Sequence, residues 1–392
     1  MRVAIVHDWF VVYAGAERVV EQLLDIYPQA DLFGLVDFLP DHDRAFIANR
    51  PVRTSFLQRM PFARQRYRDY LPLFPLAVEQ FDMRGYDLVI SSSYAVAKGV
   101  ITSPDQLHIC YCHSPMRYAW DLREEYLEER GIARGWRSAL VRLILHRLRV
   151  WDAVTSGGPD HYIANSEFVR ARIQKFYRRP ATVIHPPVDV HRFRPIADKD
   201  DFYLTVSRAV PYKKVPLIVK AFRDMPTRRL VVIGDGPEVA KVRAAAEGAP
   251  NIEVLGFQAN DVVESHMRRA RAFIFAAMED FGIVPLEAQA CGTPVIAYGA
   301  GGSLETVRGL GHANRPTGVF FEEHTPEAIK EAVERFEKNS DFFSPEQCRE
   351  HALRFSPDRF RREFAAHANA CFGQHTDERK AGPRSEQRLI TA

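Results

Sequence analysis

Glu279-Asp-Phe-Gly-Ile-Val-Pro-Leu-Glu287-Ala-Gln-Ala-Cys-Gly292 is the stretch on which the reading of this chain turns. Before it stands Ala272-Phe-Ile-Phe-Ala-Ala277, a short apolar run that reads as a buried strand. After it, Gly292-Thr-Pro closes a helix, and Val295-Ile-Ala-Tyr298 reads as the next strand. The order is strand, acidic loop with a glycine, then a helix whose first turn begins near Phe281–Ile283. The first N–H groups of such a helix have no internal partner and point at any anion placed before them. Two carboxylates flank that point, Glu279 in the loop and Glu287 on the helix. Amides for a phosphate and acids for hydroxyl groups make a nucleotide-sugar site the first hypothesis.

Working outward, the same alternation of strand and helix fills the chain. Towards the C-terminus it runs through Phe202–Val206, Pro216–Phe222, Arg229–Ile233, Glu238–Ala246, Ile252–Leu255, Asp261–Ala270, Val319–Phe321 and the helix Pro326–Lys338. Towards the N-terminus, Val3–Val6 is a strand, Val11–Ala16 a loop of small residues, and Glu17–Tyr27 a helix with an apolar stripe. Ala30–Val36, Tyr86–Ile90, Leu107–Cys112, His161–Ala164 and Thr182–Ile184 supply more strands. The class is α/β, with two Rossmann-like, doubly wound domains on mainly parallel sheets. Pro186-Pro187 and the polar run Arg194–Asp201 mark a hinge. The expected division is residues 1–190 as an acceptor-binding domain and 191–372 as a nucleotide-sugar-binding domain, the two facing across a ligand cleft. Ser356-Pro357-Asp358 opens a last helix running to about Phe372, expected to cross back to the first domain. The polar residues 373–392 are expected to be a disordered tail.

At 392 residues the chain is long enough for two cores, and a net charge of +3 gives no overall bias towards nucleic acid. Five cysteines without a CxxC pair suit buried thiols in a reducing cytoplasm. No apolar run is long enough to span a bilayer. Two segments are unusual. Residues 44–68 hold seven arginines and no acid, and residues 134–151 hold five arginines and no acid, both interleaved with aromatic and aliphatic residues. Each suits either an anionic membrane surface or acidic acceptor, or a solvated basic face over a core.

Three constellations carry the chemistry. Ser207-Arg208-Ala-Val-Pro-Tyr-Lys213 follows the first strand of the second series, where Arg208 and Lys213 can grip a diphosphate. His113-Ser-Pro-Met-Arg-Tyr-Ala-Trp-Asp121 follows the strand Leu107–Cys112. Glu279 and Glu287 are the third. Gly15 lies where a ligand can approach the backbone, or merely makes the turn, and Gly234-Asp-Gly-Pro-Glu238 is a strand-to-helix turn that packing alone can explain. The pairs Asp41/Asp43 and Asp198/Asp200 lie in polar loops and read as solvated turns, so no metal ligand is assigned.

Together these residues resemble the family-4 retaining glycosyltransferases of the GT-B fold, from Val3 to about Phe372. The Glu279–Glu287 signature and the Ala-Gln-Ala-Cys-Gly-Thr-Pro that follows it are the specific part. The segments around Arg208 and His113 look most like a bacterial branch that transfers mannose and related sugars. The resemblance implies that Glu279 contacts the donor sugar hydroxyls and Glu287 the ribose. It also implies that Phe281, Gly282 and Ile283 offer backbone amides, that Arg208 and Lys213 neutralise the leaving diphosphate, and that His113 bonds the sugar. Ser166 matches a sensitive position of that branch. The N-terminal loop departs from the family's Gly-Gly-Ala-Glu, reading Ala14-Gly15-Ala16-Glu17.

The implied donor is GDP-mannose or another nucleotide-sugar, with no cofactor. The implied acceptor is a glycan or polyprenyl-diphosphate-linked oligosaccharide, on the cytoplasmic side of a membrane. A nucleotide-sugar epimerase would need other acid/base groups on the sugar. A dinucleotide-dependent dehydrogenase would need Gly-x-Gly-x-x-Gly after the first strand, a spacing Val11–Ala16 lacks. A non-catalytic binding module would be expected to lose His113, Lys213 or Glu279.

Overall fold

The computed structural model describes residues 1–124, 127, 132, 135–196, 198–311 and 314–381. The chain forms two compact units, Met1–Pro186 with Asp358 onward, and Pro187–Pro357. In the first unit the strands are β1 (Val3–His7), β2 (Asp31–Gly34), β3 (Val52–Thr54), β4 (Leu88–Ser93), β5 (Leu107–Cys112), β6 (His161–Ala164) and β7 (Thr182–Val183). They make one parallel sheet in the order β3-β2-β1-β4-β5-β6-β7. In the second unit β8 (Tyr203–Val206), β9 (Leu230–Ile233), β10 (Ile252–Gly256), β11 (Ala272–Phe275), β12 (Val295–Tyr298) and β13 (Gly318–Phe321) run β10-β9-β8-β11-β12-β13, again parallel. Both sheets reverse direction of growth at their first strand, between β1 and β4 and between β8 and β11. That is the doubly wound topology, and the carboxyl ends of those strands form its ligand crevice.

The sequence pattern explains the layers. The strands are apolar on both faces because helices cover both, so β1, β4, β5, β9 and β11 are buried along their whole length. In the helix Gly15–Ile26, Val19, Val20, Leu23 and Leu24 fall on one stripe and enter the core with Ile5, Ile90 and Ile109. Asp8, just past β1, is fully buried and accepts the backbone N–H groups of Tyr94, Ala95, Val96 and Ala97 at 2.7–2.9 Å. That one carboxylate ties the turn after β4 to the end of β1.

Two boundaries differ from the expectation. The last helix runs Pro357–Ala381, so residues 373–381 are helical rather than a disordered tail, and residues 382–392 lie outside the described residues. Residues 358–372 belong with the first unit rather than with a domain of 191–372, because Phe360, Phe364, Ala368 and Cys371 bury themselves in the core of β1, β4 and β5. The last helix thus crosses back to the first unit as expected, and it is the end of the second unit that moves, from residue 372 to Pro357. The first basic segment contains a strand the sequence reading missed. β3 is an edge strand only three residues long, below what periodicity resolves. Three of the segment's seven arginines are taken up within the unit, Arg44 by both Asp37 carboxylate oxygens at 3.0 Å, Arg50 by the Ala30 carbonyl and Arg53 by Asp31, while Arg53, Arg59, Arg64, Arg66 and Arg68 remain exposed.

All four tryptophans (Trp9, Trp120, Trp136, Trp151) lie in the first unit, so tryptophan fluorescence reports that unit alone. Phe364→Ala, at a fully buried position, is expected to cost that transition about 3–5 kcal/mol in denaturant titration. An unshifted fluorescence midpoint would show that the C-terminal helix is not part of the first unit's core.

Candidate functional site

In the second unit the predicted residues converge at the point where strand order reverses. Arg208 follows β8, Lys213 ends the turn Pro211–Lys213, and Glu279 follows β11. Lys213 Nζ makes an ion pair with Glu279 Oε1, and the two side chains are only 14% and 17% exposed. The helix Ile283–Ala290 starts where the sequence places it, with Gly282 as its N-cap at φ +93°, a left-handed conformation that glycine adopts without a Cβ penalty. No side chain caps this end, and Pro285 in the first turn has no N–H to satisfy. The amides of Ile283 and Val284 are therefore the donors a phosphate would meet. Phe281 is 4% exposed and packs on Phe355, which leaves it its backbone rather than its ring to offer.

Arg208, Lys213 and Glu287 line one cavity of ≈ 740 Å³, together with Gly234, Gly236 and Phe257. Cavities of this size hold nucleotide-sized ligands. The glycine turn that was ambiguous from sequence has a definite reason here. A Cβ on Gly234 would stand 1.8 Å from the Ser207 carbonyl oxygen, and one on Gly236 2.7 Å from that of Ala209. The turn after β9 must lie against the Arg208 loop, and only glycine lets it. Another supporting loop was missed: Gly301 and Gly302 press on Glu279 and Phe281, where a Cβ would come within 2.5 and 2.3 Å of their backbone, and Gly302 N donates to Glu279 O at 2.9 Å. The signal was present in the run Gly299-Ala-Gly-Gly302.

In the first unit His113 sits just past β5, its ring edge-on to Tyr111 and its Nε2 2.8 Å from Ser92 Oγ. Burial, with a smaller contribution from His7, pushes its pKa down to about 3, so the imidazole is neutral over the ordinary pH range. Gly15 is the first residue of its helix, after Ala14 as N-cap. Ser166 is fully buried and caps the helix Glu167–Tyr177, its Oγ accepting from Val169 N at 3.0 Å and donating to Asn165 Oδ1. These contacts give it a structural task beside the expected functional one. The residues missed in this unit are His7, Glu17 and Ser92, which join His113 through side-chain hydrogen bonds. They are far apart in the chain, and nothing in the local sequence pairs them.

Of the aspartates set aside as turns, Asp41 and Asp43 lie in the short 3-10 helix Asp41–Ile47, and Asp200 pairs with Arg269 at 2.6 Å. The five cysteines are buried free thiols.

Solved structures share this architecture. Sucrose-phosphate synthase from Thermosynechococcus elongatus superposes with a TM-score of 0.70 at 16% identity, over 95% of this chain and all of that one. HepE of Anabaena in complex with UDP gives 0.68 at 15%, over 94% of this chain and all of that one. The class is thus a two-unit, doubly wound GT-B protein. Residues 13–192 match the Glycosyltransferase Family 4 family and residues 189–355 the Glycosyl transferases group 1 family. The chain belongs to the family-4 glycosyltransferases.

Among curated relatives, an uncharacterized glycosyltransferase of Methanocaldococcus jannaschii is 29% identical over 177 residues, 44% of this chain and 48% of that protein. A GDP-mannose-dependent alpha-(1-6)-phosphatidylinositol monomannoside mannosyltransferase of Mycobacterium tuberculosis is 28% identical over 229 residues, 51% of this chain and 56% of that protein. A GDP-mannose-dependent monoacylated alpha-(1-6)-phosphatidylinositol monomannoside mannosyltransferase of Corynebacterium glutamicum is 33% identical over 174 residues, 36% of this chain and 45% of that protein. The chain spans about half the length of the curated relatives it matches.

The depressed histidines predict an acid-sensitive fold. His113 and His108 are held down to about 3 and His351 to about 4, chiefly by burial. Unfolded, each takes up a proton near its usual value of about 6.5. Between those limits the unfolded chain binds more protons than the folded one, so stability falls as pH drops through that window. Melting followed from neutral pH down to about 4, the upper part of that window, should show a smaller loss for His113→Gln than for the parent protein. Equal slopes would refute the neutral state of the half-buried His113.

Proposed function

We propose that the chain is a retaining hexosyltransferase that moves mannose from GDP-mannose to a glycan or polyprenyl-diphosphate-linked acceptor in bacterial surface polysaccharide synthesis. The observation that carries the proposal is the ion pair of Lys213 with Glu279, set beside a cavity lined by Arg208 and Glu287. Cations for a diphosphate, a carboxylate for sugar hydroxyls and a second carboxylate for ribose are what a nucleotide-sugar donor requires. The GDP-mannose dependence of the mycobacterial and corynebacterial relatives supports the choice of donor. A UDP-hexose is the second reading, since HepE, with the same fold, is known in complex with UDP-glucose.

In this reaction the bond from the anomeric carbon to the diphosphate oxygen breaks while the acceptor oxygen bonds the same carbon from the same face. The acceptor's proton passes to the leaving phosphate oxygen, so no enzymic base is required. Arg208, Lys213 and the N-terminus of the helix Ile283–Ala290 hold the developing negative charge, each such preorganised group contributing about 2–4 kcal/mol. Glu279 orients the sugar and Glu287 the ribose. Phe281, Gly282 and Ile283 supply backbone, and His113 a hydrogen bond to the sugar. Gly15 keeps the N-terminal loop open to the ligand, and Ser166 supports the loop after β6. No metal is assigned a step, because the two cations meet the charge.

Among the described residues no helix is long and apolar enough to cross a membrane. The helix Trp136–Thr155 nevertheless exposes Trp136, Leu140, Leu143, Val150 and Val154, which share one helical face, with exposed Arg137 and Arg147 near it. Arg142 is partly taken up by Glu124 and Arg149 by the Ala119 carbonyl, and Arg134 lies outside the described residues. This face is proposed to rest on the anionic cytoplasmic surface of the membrane that carries the acceptor.

Lys213→Ala and Glu279→Ala are each expected to lower turnover about 10²–10³-fold with the circular dichroism unchanged. A variant with undiminished release of nucleoside diphosphate from a screened panel of sugar nucleotides would remove that residue from the site. Leu140→Glu with Leu143→Glu should abolish co-sedimentation with anionic liposomes at low salt. If the parent protein itself stays in the supernatant, the membrane proposal falls.

A further inference from the structure

The switch point of the first unit carries a hydrogen-bonded chain that the transfer scheme leaves unused. Glu17 Oε1 lies 3.3 Å from His7 Nε2. His7 Nδ1 lies 3.1 Å from Ser92 Oγ and 3.2 Å from the Ser92 carbonyl oxygen. Ser92 Oγ lies 2.8 Å from His113 Nε2. Glu17, His7 and Ser92 are 3%, 1% and 0% exposed. The parallel register sets His7 beside Ser92 across β1 and β4, and Ala14 N, donating to Glu17 Oε2 at 3.1 Å, holds the carboxylate in place.

We propose that Glu17, His7 and Ser92 are positioning residues that fix His113 in one tautomer, with its hydrogen on Nδ1, and so present it to the substrate as a hydrogen-bond donor. This rests on the reading that His113 touches the sugar. The direction of the chain follows from what each group can do. A backbone carbonyl only accepts, so His7 Nδ1, facing the Ser92 carbonyl, carries a hydrogen. The same N–H faces Ser92 Oγ, which therefore receives on that side. The hydroxyl has one hydrogen to give, and among the described residues His113 Nε2 is the acceptor placed for it. A neutral imidazole that accepts at Nε2 holds its hydrogen at Nδ1. The Glu17 carboxylate, equally acceptor-only, faces Nε2, so in this arrangement His7 carries a hydrogen on both ring nitrogens, and as an imidazolium paired with Glu17 it cannot turn over without losing a partner. Buried polar chains of this kind stay ordered because every break leaves a group unpaired in low dielectric.

The test uses protein labelled with ¹⁵N-histidine and long-range ¹H–¹⁵N spectra, which distinguish the two ring tautomers. In the parent protein His113 should show hydrogen on Nδ1 alone. Ser92→Ala, which removes one atom and adds none, should give a mixture of tautomers. His7→Phe, which keeps the ring volume, should do the same, with tryptophan fluorescence confirming the fold of each. Hydrogen on Nε2 in the parent, or a ring left on Nδ1 in both variants, overturns the proposal. The spectra need no donor or acceptor, so they stand apart from the transferase reading. With turnover measured as well, Ser92→Ala should lower kcat about tenfold and change the donor KM less. An unchanged kcat overturns the positioning role even where the tautomer is loosened. Full turnover of His113→Ala, with the tautomer as stated, overturns instead the assignment of His113 to the sugar.

Discussion

The parallel sheet with reversed strand order is the constraint on which the rest of this structure depends. In both units the first strand is central, and chain growth turns from one side of it to the other, at β1/β4 and at β8/β11. Helices leave the two strands in opposite directions, so their carboxyl ends are left open as a crevice. His7 and Ser92 stand at those ends in the first unit, and Arg208 and Glu279 follow them in the second. The helices need not know about ligands. They cover apolar strands, and the crevice is what covering both faces leaves behind.

Keeping a crevice open and ordered requires buried polar groups whose hydrogen bonds are complete. Asp8 meets that need with four backbone N–H donors, although burial still pushes its pKa above the usual carboxylate range. Lys98 and Asp152 meet it as a buried ion pair at 2.9 Å, supplemented by Trp120 and Tyr177 on the carboxylate and by Thr155 on the ammonium. Such a pair contributes little net stability compared with apolar residues of equal size, but losing one partner strands the other in low dielectric. It ties the turn after β4 to the helix Trp136–Thr155, so the loop beside His113 and the helix with the exposed apolar face share one anchor. The second unit applies the same logic with backbone: glycines at 234, 236, 301 and 302 let loops touch main chain to main chain, where any side chain would force them apart.

The sequence showed what local pattern can show. Strand runs bounded by glycine and proline, and a helix opening at Gly282 with two acids around it, were legible because each signal lies within a dozen residues. The convergence of Arg208, Lys213 and Glu287 on one cavity was legible only through topology, since strand ends meet in a doubly wound sheet. The partnership of His7, Glu17, Ser92 and His113 was not legible, because it depends on register between β1 and β4 and on side-chain reach. The extent of the last helix was misjudged for a related reason. Residues 373–381 look polar in isolation, yet they continue a helix whose earlier turns are pinned by Phe360 and Phe364 in a core built from the other end of the chain.

The two switch points solve the same geometric problem with opposite electrostatics. In the second unit the strand ends carry charge, two cations with Glu279 paired to one of them, and Glu287 lines the same cavity from its helix. A charged lining suits a ligand that is itself charged, because a diphosphate taken from water needs fixed counter-charges to offset its desolvation. In the first unit the imidazole of His113 is neutral, held so by burial and hydrogen-bonded to the Ser92 hydroxyl. A neutral donor aimed at a hydroxyl group discriminates by direction rather than by charge, and loses its value once its hydrogen is free to sit on either nitrogen. Under the proposed function this divides the labour: charge grips the leaving diphosphate, and direction selects the sugar. The family signature advertises only the first, because charge is written in residue type, whereas direction is written in which atom faces which.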